Sequence, residues 1–335
     1  NINPLGPPSV LKDKWLDLFQ EINVYPDPYA TQLKNRISKL EQTSIDSILI
    51  GNGGADLITL LGRMLAGKKV VVVEPTFSEY EKTCRANQCE IVYHQLMEPN
   101  FALDLTDLRS SLVAADALFL CNPNNPTGIQ YPASAIISIV AECAKRDCLV
   151  ILDEAFFDFL TEYDSFVPYI HKYSNLIILR SLTKMFAIPG IRLGYLVAQP
   201  AIVSELSKLQ SHWSTNTIAL LAGELCLQNE SFIKETQEYI NNERKRLFAF
   251  FHQNEFLFSS SQVNFYLLQD PFLQEQFSLI EFLLHQGIIP RHTFNFQGLE
   301  GRWLRFAIKS HEENNQLMEV LAQWRHQHSF SLQAE

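Results

Sequence analysis

Positive charge is scarce in this chain. Its 335 residues carry 27 Lys and Arg against 37 Asp and Glu, a formal net charge of −10, and no basic run interrupts the pattern. That balance excludes an electrostatic footprint for nucleic acid or for an anionic membrane surface. An anionic ligand would have to be gathered by a local cationic pocket. Glycine (13) and proline (15) are also few, and with 47% hydrophobic and 19% charged residues the chain falls outside the disordered, collagen-like and low-complexity classes. No stretch approaches the roughly 18 to 20 uninterrupted apolar residues of a membrane span. The chain opens Asn1-Ile2-Asn3-Pro4 rather than with a basic stretch followed by an apolar one. A soluble, reducing, cytoplasmic setting is expected, with no nucleic-acid and no membrane partner. Six cysteines, at 84, 89, 121, 143, 148 and 226, include two pairs with four intervening residues but no Cys-x-x-Cys and no adjoining His. Zinc sites use tighter ligand pairs, so no metal site is expected and the thiols read as buried and reduced.

What is present is a change of hydrophobic period along the chain. After an arm holding Pro4, Pro7 and Pro8, the positions Leu11, Trp15, Leu18, Phe19 and Ile22 recur at helical spacing and predict one amphipathic helix. From Ser47 to Val197 short apolar runs alternate with helix-like segments. Strands are expected at Ser47–Ile50, Lys69–Glu74, Glu90–His94, Ala117–Cys121, Leu149–Asp153, Leu176–Arg180 and Leu193–Val197. Continuous runs such as Val70-Val71-Val72-Val73 fit strands buried on both faces, and the alternation with helices argues for an α/β fold with a mostly parallel central sheet. Ligands on such sheets sit at the carboxyl ends of the strands. Beyond Gln228 helical pattern dominates, over Ser231–Gln253, Pro271–Gln286 and Glu312–Gln327, interleaved with strand-like Val263–Leu268 and Arg302–Ile308. The expected division is a large α/β domain over 25–225 and a small α+β domain built from 1–24 and 226–335.

Four segments carry chemistry. Gly51-Asn52-Gly53-Gly54-Ala55-Asp56 lies between a strand and an apolar helix, and a glycine-rich turn opening a helix presents backbone N–H groups and the positive dipole end to a phosphate. It lacks the spacing of a dinucleotide or P-loop motif, and by itself it is also a plain turn. Cys121-Asn122-Pro123-Asn124-Asn125-Pro126-Thr127-Gly128 follows a strand. It is turn chemistry, or it offers the Asn125 amide to a phenolate oxygen. Leu152-Asp153-Glu154-Ala155-Phe156 ends an apolar strand with a carboxylate, either a strand-end aspartate or a partner for a protonated ring nitrogen. Ser181-Leu182-Thr183-Lys184, followed by Arg192, sets a lysine among hydroxyls eight residues before an arginine. Such a lysine could condense with an aldehyde while Ser181 and Arg192 hold a phosphate; alone, it is also a surface lysine beside a turn.

Taken together and in this order, the four segments resemble the fold-type I pyridoxal-phosphate enzymes, the aspartate aminotransferase superfamily, over nearly the whole chain. The resemblance implies that fold, with pyridoxal 5'-phosphate as cofactor. It implies Lys184 as the lysine bonded to the cofactor aldehyde, Asp153 at the pyridine nitrogen, Asn125 at the phenolate oxygen and Tyr80 stacked on the ring. The amides of Gly54 and Ala55, with Ser181 and Arg192, would hold the cofactor phosphate. Tyr25, in Tyr25-Pro26-Asp27-Pro28, matches a tyrosine that reaches the neighbouring subunit's cofactor, which implies a homodimer. At the substrate end it implies Arg291 and Arg305, fourteen residues apart, converging on a doubly charged anion, with Asn3 and Gly6 covering the substrate from the arm. Arg302 reads as solvated.

Two groups within the superfamily compete. Asn3-Pro4-Leu5-Gly6, Glu74-Pro75-Thr76-Phe77-Ser78-Glu79-Tyr80 and Ile188-Pro189-Gly190 are similar to the threonine-phosphate decarboxylases. So is Phe156, where aminotransferases usually carry a tyrosine bonded to the phenolate oxygen. Trp213-Ser214-x-Asn216 also resembles that group, although His212 stands where a proline is expected. The resemblance therefore implies decarboxylation of L-threonine O-3-phosphate to (R)-1-amino-2-propanol O-2-phosphate, a step of cobalamin biosynthesis. The alternatives are histidinol-phosphate transamination with 2-oxoglutarate and a non-catalytic protein on the same fold. An intact Lys184, Asp153 and Asn125 set argues against the last.

Overall fold

The computed structural model describes residues 1–163 and 165–329. Seven strands form its larger sheet: β1 (Ile48–Gly51), β2 (Lys69–Glu74), β3 (Glu90–Gln95), β4 (Ala117–Cys121), β5 (Leu149–Asp153), β6 (Leu176–Ser181) and β7 (Gly194–Val197). Their spatial order is β1-β7-β6-β5-β4-β2-β3. β7 runs antiparallel to both its neighbours, and the pairs from β6 across to β3 are parallel. The mostly parallel sheet read from the apolar runs is thus present. β4 and β6 are buried along their whole length, as strands covered by helices on both faces must be.

Side-chain alternation divides the core into two clusters, one on each face. Val70, Val72, Phe119 and Ile151 pack on one side with Leu57 and Leu61 of the helix Gly54–Met64. Val71, Val73, Leu118, Leu120 and Val150 pack on the other, in a cluster that continues into the second sheet through Phe265, Leu267 and Trp303. That second sheet has four antiparallel strands, β8 (Leu257–Phe258), β9 (Phe265–Gln269), β10 (Arg291–His292) and β11 (Leu304–Ala307), in the order β10-β11-β9-β8.

Two expectations change. The N-terminal amphipathic helix is instead two short helices, Ser9–Asp13 and Trp15–Gln20, and a 3-10 turn, Glu21–Asn23. Lys14 leaves helical geometry between them (ψ 6°), which breaks the phase of the pattern. Leu11 and Leu18 are buried, but Trp15, Phe19 and Ile22 stay exposed. The helix expected from Pro271 begins at Phe277, because the side chains of Asp270 and Gln276 bond the backbone of the intervening loop.

Behind the carboxyl ends of β5 and β6 lies a buried ionic group. Strand alternation sends Arg180 and Glu154 to the face opposite Ser181 and Asp153. Arg180 is 1% exposed, with Nε 2.6 Å from Glu154 and Nη1 3.3 Å from Glu41, ion pairs by distance without hydrogen-bond alignment. Its Nη2 donates to Ser165 Oγ at 3.1 Å, and the guanidinium lies over the Phe157 ring, 3.3 Å from its centroid. Tyr195 donates to Glu41 at 2.7 Å and Tyr163 donates to Glu154. Burial pushes Glu154 up to about 8 and Asp158 to about 7. One guanidinium therefore faces three carboxyl groups.

Arg180→Met removes that cation and leaves the carboxylates uncompensated. Urea denaturation is expected to show a loss of about 3–5 kcal/mol above pH 8, where the carboxyls are charged. Without the guanidinium these carboxyls titrate higher still, so the deficit shrinks as pH falls towards the wild-type values of about 8 for Glu154 and about 7 for Asp158, below which they are protonated in both proteins.

Candidate active site

The carboxyl ends of β1, β2, β4, β5 and β6 and the edge of the smaller sheet enclose a cavity of about 410 Å³. Ten of the residues singled out in the sequence line it: Gly54, Ala55, Tyr80, Asn125, Asp153, Ser181, Lys184, Arg192, Arg291 and Arg305.

At its base β1 turns into the helix Gly54–Met64. Gly53 adopts φ 83°, and a Cβ there would stand 2.5 Å from Arg192 Nη2. Only glycine permits both that backbone and that approach. No side chain caps this helix, so its first N–H groups and the Arg192 guanidinium form one donor cluster. Arg192 itself sits at φ 64°, with Nη1 donating to Pro189 O at 3.1 Å. Ser181 Oγ lies 2.9 Å from Thr183 Oγ1, which adds a buried hydroxyl the sequence reading did not assign, although it stood inside the Ser-x-Thr-Lys run.

Lys184 belongs to the short helix Leu182–Met185 that follows β6. Burial, and then the Arg192 charge, hold its amine below the ordinary lysine value. Asp153 ends β5. Burial pushes its carboxyl up, opposed by the Tyr80 hydroxyl, which donates to Oδ2 at 2.5 Å, and by the Ala155 N–H, which donates to Oδ1 at 2.9 Å. The Tyr80 ring stacks on Phe119 with centroids 5.0 Å apart. Asn125 Oδ1 accepts from Arg305 Nη1 at 2.6 Å, which leaves its NH2 as the group offered to the cavity. Phe156 forms part of the wall, edge-on to Phe265 at 4.8 Å.

β10 and β11 place Arg291 and Arg305 directly opposite one another in register. Like charges in that relation destabilise a sheet, and neither guanidinium has an ion-pair partner among the described residues. Burial and the neighbouring Arg291 lower Arg305 to about 10, and its Nε is buried without a hydrogen-bond partner. Arg291 donates to Asn295 Oδ1 at 2.8 Å, and Phe296 lies on the cavity wall near Arg305. Asn295 and Phe296 were missed because they belong to a loop without periodicity. Arg302 is not free in solvent: it pairs with Glu98 at 2.6 Å and Glu300 at 2.9 Å.

Three predicted residues stay outside the cavity lining. The Asn3 amide is taken up by Met185 O and Thr236 Oγ1, both at 2.8 Å, and its N–H donates to Lys184 O at 3.2 Å. The arm is thus pinned beside Lys184, and Asn1 and Ile2 border the cavity in place of Asn3. Gly6 closes a turn back to Asn3 O at φ 77°. Tyr25 is 79% exposed, its ring against Trp213 at 4.9 Å.

The donor set matches an aldehyde-bearing phosphorylated pyridine. It contains an amine of lowered basicity, a buried carboxylate, an amide donor and a helix start with an arginine beside it. Among the described residues no cluster of three His, Cys, Asp or Glu could hold a metal ion, and no helix is long and apolar enough to cross a membrane.

Comparison with known proteins agrees. The family described as aminotransferase class I and II matches residues 1–321. The threonine-phosphate decarboxylase of Salmonella typhimurium is 35% identical over 325 residues, covering 96% of this chain and 88% of that protein. A bifunctional adenosylcobalamin biosynthesis protein of Leptospira interrogans is 30% identical, with 96% of this chain matching 38% of that one. The crystal structure of the histidinol-phosphate aminotransferase from Clostridium acetobutylicum superposes with a TM-score of 0.92 at 30% identity, covering 98% of each chain.

A lysine held below its ordinary value costs stability while it is charged. Lys184→Met is therefore expected to raise the melting temperature of the cofactor-free protein at neutral pH. The gain fades as pH rises through the lowered Lys184 value towards 10.5, where wild type is neutral too. Thermal denaturation at both pH values checks it.

Proposed function

The chain belongs to the class I and II aminotransferase family, whose cofactor is pyridoxal 5'-phosphate, and from that premise we propose that it is a carboxy-lyase acting on L-threonine O-3-phosphate. The product is (R)-1-amino-2-propanol O-2-phosphate, and the step supplies the aminopropanol arm in cobalamin biosynthesis. The observation that carries the substrate class is the in-register pair Arg291 and Arg305, two unneutralised guanidinium groups facing a cavity in an otherwise acidic protein. A phosphorylated amino acid brings the charge that this pair lacks. Phe156 supports decarboxylation, since the position offers no hydroxyl. The Salmonella and Leptospira relatives support the same reading.

In this reading the Gly54 and Ala55 N–H groups, Ser181 and Arg192 would hold the cofactor phosphate, Asp153 would keep a proton at the ring nitrogen, Asn125 would donate to the phenolate oxygen and Tyr80 would border the ring. When bound, the cofactor supplies an aldehyde that condenses with amines and a protonated ring that accepts the electron pair of a breaking bond at the substrate Cα. Arg291 and Arg305 would bind the anionic groups of the substrate and orient it for loss of its carboxylate. Phe156 and Phe296 exclude water. Carbon dioxide leaves, and the Lys184 amine delivers one proton to Cα. Burial holds the Lys184 amine below its ordinary value, which eases release of that proton.

The second reading, transamination of histidinol phosphate, is favoured by the Clostridium structure and uses the same residues. There Lys184 would remove the Cα proton instead. Tyr25 belongs to the proposal as well: its exposure beside Trp213 suits a residue completing the site of a second copy in a cytoplasmic homodimer.

The deciding experiment incubates the holoenzyme with threonine phosphate under a carbon dioxide assay and, in parallel, with histidinol phosphate and 2-oxoglutarate. Carbon dioxide release only from the first is expected; glutamate from the second instead would overturn the proposal. Lys184→Ala abolishes turnover, and Arg305→Met lowers kcat/KM on the order of a hundredfold, by loss of one charged partner of the substrate.

A further inference from the structure

Four of the six cysteines occupy two copies of one device, which the cofactor site does not use. The helices Glu79–Ala86 and Ala133–Ala144 each run down to the start of a strand, β3 and β5, and the two turns close identically. Gln88 and Asp147 take left-handed backbone, at φ 56° and 54°. The Cys89 N–H donates to Cys84 O at 3.0 Å and the Gln88 N–H to Arg85 O at 3.1 Å. In the second turn the Cys148 N–H donates to Cys143 O at 3.0 Å and the Asp147 N–H to Ala144 O at 3.4 Å. This double closure is a Schellman motif, in which the side chains at the two ends of the turn meet. Both ends are cysteine in both turns, and in each pair the two thiols influence one another's acidity.

The copies differ in access. Cys143 and Cys148 are both fully buried. In the first turn Cys84 is buried but Cys89 is partly exposed, with its Sγ 3.1 Å from Leu65 O.

We propose that Cys84 and Cys89 form a dithiol oxidation site that a small-molecule disulfide, such as oxidised glutathione, converts to an intramolecular disulfide, while Cys143 and Cys148 stay reduced. The Cys89 thiolate attacks one sulfur of the reagent and expels a thiol, leaving a mixed disulfide on Cys89. The Cys84 sulfur then attacks the Cys89 sulfur and expels the second thiol. The protein loses two electrons and two protons, and the reagent gains them. The turn is already closed by its two backbone bonds, which hold the two cysteines at its ends together. It lies at the amino end of that strand, away from the cavity, and is compatible with the loaded enzyme.

Thiol acidity points the other way. The neighbouring Cys143 thiol holds Cys148 below its ordinary value, whereas burial pushes Cys84 up to about 12. If acidity governed, the sealed pair would react first; access reverses the order.

The test incubates the native holoenzyme with oxidised glutathione, alkylates the remaining thiols and maps the cysteines by mass spectrometry. The expected result is loss of two titratable thiols, located at Cys84 and Cys89 as a linked pair and restored by dithiothreitol. Cys143 and Cys148 should become alkylatable only on unfolding. In Cys84→Ser the glutathione adduct should persist on Cys89, and in Cys89→Ser residue 84 should remain a free thiol wherever wild type does not. Retention of all thiols, while the unfolded chain oxidises under the same conditions, overturns the proposal. Oxidation of the 143–148 pair ahead of the 84–89 pair overturns it as well.

Discussion

The site rests on a single buried cation. Arg180 stands behind the ends of β5 and β6, against Glu154, Glu41 and the Phe157 ring. Because successive side chains of a strand face opposite ways, Glu154 and Arg180 each stand next in the chain to a cavity residue, Asp153 and Ser181. The ends of β5 and β6, which carry the Asp153 carboxylate and the Ser181 hydroxyl, are tied together from behind. Glu41 brings in the end of the helix Thr31–Glu41, and Tyr195 brings in β7. A pair so buried adds little net stability over an apolar pair of equal volume, but it tolerates few alternative arrangements. Its value here is geometric.

On the other side of those strand ends the charge is of the opposite kind. Arg192, Arg291 and Arg305 gather around a cavity in a protein of net charge −10. A helix start adds partial positive charge at the base. Arg291 and Arg305 repel each other across β10 and β11, and the buried Nε of Arg305 has no acceptor. Such an arrangement is destabilising by itself and becomes favourable with an anion between the two guanidinium groups. The cost is limited by where it sits, on a four-stranded sheet whose other positions are filled by Phe265, Leu267, Leu304 and Phe306.

Much of this was legible beforehand, for identifiable reasons. The seven main strands could be placed to within a residue or two, because runs such as Val70–Val73 have no amphipathic alternative. The four motifs announced Lys184, Asp153, Asn125 and the glycine turn, because each follows a strand and strand ends share one edge. The N-terminal helix misled: helical spacing says which residues share a face if the helix is unbroken, and Lys14 breaks it. Asn3 was sought at the substrate, yet its amide had nearer partners in Met185 and Thr236, contacts across more than 180 residues that no local pattern encodes. The ionic group behind the site went unseen for the same reason, since Glu41, Glu154 and Arg180 come from three distant segments.

By itself, then, the sequence determined the order of elements and the α/β class and singled out ten of the residues that line the cavity, all of which depend on periodicity and on residues close in the chain. Only the tertiary structure decided which of those side chains share a cavity. It set Arg291 opposite Arg305, turned Asn125 by giving its carbonyl to Arg305, and left Cys89 accessible while sealing the matching Cys148. Each depends on strand register, on burial or on partners far along the chain. These are properties of how elements pack, and the apolar pattern within any one element does not specify them.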